Sequence, residues 1–283
     1  MPIAGDLDHA VFLVRDLDEA ERAAVRLGFR PTPRGEHSPA MGTANATIVF
    51  PDRRTYVELL GIVRPTSANS VQRARLERGG GLFGLAFKGR DARADAEELA
   101  RLGVADGAAI DFSRPVALES GSREARFTVA RARPEATPGA WCFVCQHHTP
   151  ELVWREDFLE HPNGALALIE IVGVAPDPGA IEPAWRRLFG ERVQKAEGGF
   201  RVRSATAPIT FLSPEALAER LGELAQRVAG DEPRLVAASL ALREATAAEA
   251  WWSHQGVRVN RGPRGYLVAP SEGFGAVVEF RLP

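Results

Sequence analysis

Residues 7 to 29 and 82 to 104 overlay at an offset of 75, and this internal repeat constrains the fold more than any other feature of the chain. The first stretch reads LDHAVFLVRDLDEAERAAVRLGF and the second LFGLAFKGRDARADAEELARLGV. Leu7 matches Leu82, Phe12 matches Phe87, Arg15-Asp16 matches Arg90-Asp91, and Arg26-Leu27-Gly28 matches Arg101-Leu102-Gly103. A unit of this length cannot bury its own apolar face, so repeated units must be partners in a shared core.

The same shape returns twice more. Leu235 to Val257 gives an apolar strand, a charged corner at Arg243-Glu244, an Ala-rich helix and a stop at Gly256. A weaker copy starts at Ala165 with ALALIEIVGVA, passes a Pro-rich corner (APDPGAIEP) and continues into an AWRRLFG helix near Gly190. Four units account for nearly all of the 283 residues. Paired, they predict two domains, residues 1–160 carrying the candidate site and residues 161–283 forming a second, degenerate pair.

Within the first unit, Leu7 to Val14 reads as a strand. Asp16 is placed to cap a helix from Leu17 to Leu27, with Leu17, Ala20, Ala24 and Leu27 at helical spacing and Gly28 as the stop. Ala44 to Phe50 and Tyr56 to Val63 read as two strands joined across Pro51-Asp52-Arg53-Arg54. The second unit repeats this with strands near Arg123 to Ala130 and Trp141 to His147. Gly79-Gly80-Gly81 is a linker without the Lys-Ser/Thr of a phosphate loop, and His161-Pro162-Asn163-Gly164 is a turn between the halves.

Composition excludes several classes of function. The chain has 45% hydrophobic and 25% charged residues and a formal charge of -2, enough for a core and no general attraction to nucleic acid or anionic membrane. No segment approaches the ~20 apolar residues of a membrane span. The N-terminus lacks a basic, apolar, cleavable signal, which leads to the expectation of a cytoplasmic protein. Cys142 and Cys145 form a C-x-x-C within a strand pattern, where residues three apart point to opposite faces, so two buried thiols are expected and not a redox pair.

The candidate chemistry sits on three strands. Alternation places His9 on one face with Leu7, Val11 and Leu13, and Glu58 on one face with Tyr56 and Leu60. A carboxylate on so apolar a strand needs a partner: an arginine, a hydrogen-bond network or a metal. In the strand WCFVCQH, His147 shares the face of Trp141, Phe143 and Cys145, leaving His148 on the other. His9, Glu58 and His147 together make two imidazoles and one carboxylate with open positions, a set suited to Fe and usable by Mn, Ni or Zn.

These stretches, LDHAVFLVRDLDEAERAAVRLGF followed by GTANATIVFPDRRTYVELLGI and then CQHHTPELVW with HPNGA, resemble the vicinal oxygen chelate superfamily, and more narrowly its glyoxalase-like domain group. The resemblance covers about residues 5 to 175, and the C-terminal pair shares only its outline. It implies an α+β fold of four tandem βαβββ modules in two paired half-barrel domains, each pair enclosing a cleft for metal and substrate. It also implies metal ligands on the first and last strands of paired modules, which His9 and Glu58 match. The second module departs from that pattern, since Gly84 overlies His9. In the C-terminal pair Ala237 takes the place of His9, although Val278-Glu279-Phe280 echoes Val57-Glu58-Leu59.

The function expected is therefore a glyoxalase-like enzyme using a divalent metal ion on a small oxygen-rich molecule, by lyase, isomerase or dioxygenase chemistry. Glu151 is the candidate catalytic base, and His37, Asn45 and Thr47 are candidates for the cleft mouth. The alternative is a metal-free protein of the same fold that binds or sequesters a small molecule, with Glu58 paired to an arginine. Expected partners are a small-molecule substrate or ligand, with a homodimer left open.

Overall fold

The computed structural model describes residues 3–119 and 121–282. The first half runs β1 (Leu7–Val14), α1 (Leu17–Arg26), β2 (Gly35–Glu36), β3 (Thr43–Val49), β4 (Tyr56–Ile62), α2 (Ser70–Glu77), β5 (Gly81–Lys88), α3 (Ala92–Arg101), β6 (Ile110–Leu118), β7 (Gly121–Arg131) and β8 (Trp141–His147). These strands form one mixed sheet in the order β2-β3-β4-β1-β5-β8-β7-β6. The sheet curls until its edge strands β2 and β6 approach each other, making a near-closed barrel.

The second half repeats the plan with β9 (Ala165–Val174), α4 (Pro178–Phe189), β10 (Val193–Ala196), β11 (Gly199–Val202), β12 (Ile209–Leu212), α5 (Pro214–Leu221), α6 (Ala225–Val228), β13 (Arg234–Leu242), α7 (Ala245–Gln255), β14 (Val259–Gly262), β15 (Gly265–Val268) and β16 (Val277–Arg281). Its sheet order, β10-β11-β12-β9-β13-β16-β15-β14, matches the first position for position. The α+β class and the tandem modules inferred from the repeat are what the fold contains. No helix among the described residues is long and apolar enough to cross a membrane.

The repeat has a local cause. In three of the four units an aspartate stands just before the helix and its carboxylate accepts backbone N–H groups of the first turn: Asp16 from Glu19, Asp91 from Arg93 and Ala94, Asp177 from Gly179 and Ala180. Such caps satisfy donors that the helix itself cannot. The Pro-rich stretch read as a corner is a corner only as far as Asp177, and its remainder, Pro178 to Pro183, is the first half of α4. Asp177 caps it and Pro178 takes the first position, where a missing N–H is harmless. Strand β6 and helix α2 were not legible in the sequence. Pro115 and its polar neighbours mask β6, which tolerates proline because it is an edge strand paired only to β7.

The four module helices α1, α3, α4 and α7 lie with the outer faces of both sheets in one continuous core that includes Phe12, Phe29, Phe87, Trp185, Phe189, Trp252 and Phe280. Each sheet also has a separate inner cluster on its concave side. Cys142 belongs to the shared core and Cys145 to the first inner cluster, both free and buried, as the strand reading required. Burial pushes the Cys142 thiol up to about 12.

The halves are joined at the end of α1. The indole N–H of Trp251 donates to the Arg26 carbonyl, and the Trp252 indole and the Asn163 amide both donate to the Leu27 carbonyl, serving acceptors that the helix leaves open. Gly28, at φ 89°, is required here, because a Cβ would lie 2.7 Å from Asn163 Cβ and 2.9 Å from Trp251 Cδ1. Beside it His161 is held as the neutral Nε2–H tautomer: Nε2 donates to the Val49 carbonyl at 2.9 Å and Nδ1 accepts from the Arg30 N–H at 3.1 Å. Burial, with the charge of Arg30, holds the His161 imidazole down to about 4 against the opposing effect of the Val49 hydrogen bond.

A base whose folded-state value is depressed contributes stability that is whole above its unfolded value near 6.5 and is lost as the pH falls toward 4. We expect His161 to remove roughly 2 kcal/mol between pH 7 and pH 5. Urea midpoints at the two pH values should fall steeply for the wild type and less steeply for His161→Gln. Equal slopes would show that His161 is not the acid-sensitive group.

Candidate functional site

The site begins with an irregularity in β1. Against β5, Leu7 faces Phe87 and His9 faces Ala86, so Asp8 is an extra residue and the strand bulges. Leu7 therefore packs into the core between the sheets, and not on the face of Val11 and Leu13 as strict alternation predicts. Its backbone is held from the second half: the Leu7 N–H donates to Ser204 Oγ, and the Leu7 carbonyl accepts from Thr206 Oγ1.

The bulge turns Asp8 and His9 toward the same region. Asp8 Oδ2 lies 2.9 Å from His9 Nδ1 and 2.9 Å from His147 Nε2, so one buried carboxylate oxygen receives both rings. Burial alone would raise the Asp8 carboxyl, but the charge and hydrogen bond of His147, with those of His9, hold it well below the usual carboxylate range. The His9 ring is stacked on Tyr56 with centroids 4.2 Å apart, and the His147 ring on Trp154 at 5.4 Å. With Nδ1 engaged by Asp8, His9 turns Nε2 toward Glu58 Oε2, 3.7 Å away. Asn45 Nδ2 donates to Glu58 Oε1 at 2.6 Å and fixes that carboxyl from the other side.

His9 and Glu58 open onto a cavity of about 290 Å³ inside the first half-barrel. Leu60, Ile110, Phe112, Phe127, Val129, Trp141 and Phe143 supply apolar walls, with His37, Asn45, Asn69, Gln72 and Arg114 interspersed. Burial holds the His37 imidazole below its ordinary value.

The three metal-ligand candidates are thus brought into one neighbourhood, but not as one ring of donors. His9 and Glu58 face the cavity, whereas His147 reaches Asp8. Asp8, His9 and His147 form a group whose donor atoms lie within 4.8 Å of one another and could hold a metal ion. Glu151 is not part of it. It sits exposed on the turn after β8, ion-paired with Arg123 at 2.8 Å, and does not line the cavity, so its assignment as the base is withdrawn. His148 lies on the opposite face, bonded to Thr128 Oγ1. Of the mouth candidates His37 and Asn45 line the cavity, while Thr47 bonds Thr32. Asp8 and Arg114 were missed. The Asp8-His9 dipeptide was visible, but alternation assigns neighbours to opposite faces and a bulge leaves no mark in composition.

Comparison of the modules explains why the site is single. The pairing His9↔Tyr56 in the first module corresponds to Gly84↔Trp141 in the second. A Cβ on Gly84 would lie 3.1 Å from Val11 Cβ and 3.4 Å from Trp141 Cε3, so the indole and Val11 occupy the space a ligand would need.

In the second half, Ser239↔Glu279 repeats the register of Val11↔Glu58. There the carboxylate is answered internally. Arg220 of α5 reaches Glu279 at 2.6 Å and Glu170 at 2.9 Å, with Ser239 Oγ at 3.0 Å. The hydrogen bond and charge of Arg220 hold the Glu170 carboxyl below its ordinary value against the effect of burial. Leucines of α5 and the residues after it fill the concave face.

With this geometry in place, comparison with known proteins decides the family. The family model described as a glyoxalase-like domain matches residues 7–189. The chain belongs to the glyoxalase-like domain family. Among solved structures, a hypothetical protein from Staphylococcus aureus is 12% identical with a TM-score of 0.68, aligned over 98% of this chain and 99% of that one. A mutant 4-hydroxymandelate synthase from Streptomyces coelicolor is 15% identical with a TM-score of 0.61, over 100% of this chain and 93% of that one. A xylose isomerase-like TIM barrel/4-hydroxyphenylpyruvate dioxygenase fusion protein is 15% identical with a TM-score of 0.56, over 92% and 40%. At these identities the likeness is one of fold, and it agrees with the vicinal oxygen chelate resemblance. No curated protein matches the chain in sequence.

The glyoxalase-like fold thus carries one open and one filled concave face. Removing the guanidinium from the filled one leaves buried Glu279 with Ser239 alone, whereas Glu170 keeps Arg201, Arg281 and Thr210. Arg220→Met should destabilise the protein by roughly 3–5 kcal/mol. Combining it with Glu170→Leu and Glu279→Leu should recover much of that loss, read as urea midpoints. A single variant as stable as the wild type would refute the plug.

Proposed function

We propose that this glyoxalase-like protein is a metal-dependent enzyme acting on a small oxygen-rich molecule in the cavity of its first half, by lyase, isomerase or dioxygenase chemistry. The observation that carries this is the pair His9 Nε2 and Glu58 Oε2, 3.7 Å apart on the cavity wall, with His9 oriented from behind by Asp8. An imidazole that donates one ring N–H to a carboxylate and presents its other nitrogen to an open space is the usual arrangement of a metal-ligating histidine.

The donor chemistry fits a divalent ion. His9 Nε2 and Glu58 Oε2 accept one without surrendering the hydrogen bonds to Asp8 and Asn45, whereas the Asp8, His9 and His147 group would have to give up both of Asp8's. His147 is the third donor in this proposal, and to join the pair its ring would have to leave Asp8, which it now meets through Nε2. When bound, Fe, Mn, Ni or Zn would supply a Lewis acid for a carbonyl or for neighbouring oxygens of the substrate.

The remaining work falls to the chain itself. Asp8 fixes the His9 tautomer, Tyr56 holds the ring plane by stacking, Asn45 orients Glu58, and the aromatic walls exclude water from the reacting end. The dioxygenase option draws support from the two neighbours named for 4-hydroxymandelate synthesis and 4-hydroxyphenylpyruvate dioxygenation.

One observation favours the metal-free alternative: Asp8 is already satisfied by two imidazoles and needs no ion. Its other requirement is not met, because among the described residues no arginine forms an ion pair with Glu58.

Elemental analysis of protein expressed with added metal separates the two. About one divalent ion per chain is expected in the wild type, absent from His9→Ala and depleted in Glu58→Gln. Asp8→Asn should weaken metal affinity by roughly 10- to 100-fold. A wild type without metal would remove the proposal and leave the binding protein.

A further inference from the structure

The cavity contains a positive charge that has no hydrogen-bond or ion-pair partner among the described residues. Arg114, in the middle of β6, is 6% exposed and lines the cavity, and among the described residues its guanidinium has neither a hydrogen-bond acceptor nor an ion-pair partner. The comparably buried Arg220 has two carboxylates and a hydroxyl. An arginine is rarely buried without a partner, since the lost hydration must be replaced by something. Space has nonetheless been made for this one. Gly35, on the facing edge strand β2, is where a Cβ would lie 2.8 Å from both Cδ and Nη1 of Arg114.

The chemistry of the missing acceptor can be read from the surroundings. A guanidinium fork matches the two oxygens of a carboxylate. The other guanidinium lining the cavity, Arg131, is ion-paired with Asp106 at 3.4 Å, so the one fork without a partner, beside Glu58 and Asp111, suits a monoanion and not a phosphate dianion. The walls are aromatic and aliphatic, and the cavity is at the small end of the usual range of roughly 300–1,000 Å³. The indole nitrogen of Trp141 is a buried donor without a partner, and Asn45 Oδ1 and Gln72 Oε1 are buried acceptors without one. These suit an acid that carries a further oxygen and a hydroxyl.

We propose that Arg114 is the carboxylate anchor of this cavity, and that its ligand is a small monocarboxylic acid with an apolar body whose remaining oxygens reach the His9 and Glu58 end. This rests on the reading of the first-half cavity as the substrate site. It adds the ligand's charge and the residue that selects it.

The test uses the purified full chain and a panel of probes: isobutyrate, benzoate, phenylacetate and 4-hydroxyphenylacetate, each beside its neutral amide. A ligand bound only by the folded protein raises the urea midpoint. At least one acid should do so for the wild type while its amide does not, and Arg114→Met should weaken that acid's binding by roughly 10- to 100-fold. Without ligand, Arg114→Met should unfold at a higher urea concentration than the wild type, because it removes a buried charge without a partner.

Protection by no acid, equal protection by acid and amide, or equal protection of Arg114→Met each overturns the assignment. So does an unliganded Arg114→Met that is less stable than the wild type, which would make Arg114 a structural strut. Metal content read on the same samples keeps the two proposals apart. Metal without acid protection sinks the anchor alone, and acid protection lost in Arg114→Met with no metal in any sample sinks the metal reading alone.

Discussion

A single carboxylate oxygen, Asp8 Oδ2, organises the first half of this protein. Placed between His9 Nδ1 and His147 Nε2 at 2.9 Å from each, it ties the first strand of one module to the closing strand of the next. Those strands are separated by β5 in the sheet, so no backbone ladder could join them directly. The desolvation of a fully buried carboxylate amounts to several kcal/mol and is tolerable only with strong donors on both sides. Everything the cavity presents at that end follows: the plane of His9, the direction of its Nε2, and through Nε2 the approach to Glu58.

The bulge that delivers Asp8 is supported from outside its own sheet. Ser204 and Thr206, in the loop before β12, hold the backbone of Leu7 and so define where β1 departs from regular pairing. The second half therefore shapes the site without contributing a donor to it. Its own concave face is packed by α5, α6 and the Arg220 ion pairs. Duplication has produced one copy that binds its carboxylates internally and one that leaves Glu58 facing a cavity.

Much of the architecture was legible because it is periodic. The overlay of Leu7 with Leu82, the Asp16 cap and the Gly28 stop are short-range features that sequence spacing reports directly. The placement of Glu58 with Tyr56 and Leu60, and of His147 with Trp141 and Phe143, also followed from strand alternation. What failed was whatever depended on a break in period. The extra residue at Asp8 moved Leu7 to the other face, Pro115 concealed an edge strand, and Glu151, close to His147 in sequence, turned away to Arg123. Arg114 lay inside the concealed strand, so its burial had no sequence signal.

The distribution of unmet polar groups carries the last step. In the filled half Arg220 has acceptors on several sides, and its environment favours the charged guanidinium, raising it above its ordinary value. In the open half burial lowers Arg114, and only the more distant Tyr56 and Glu58 offset this. The same fold thus treats two buried arginines in opposite ways. A chain under selection for stability alone would have replaced the second with an apolar residue, which is commonly neutral or favourable at such a position. An unfavourable buried charge at the wall of a cavity, on the strand facing Gly35, is consistent with a site shaped for something that the chain does not itself contain.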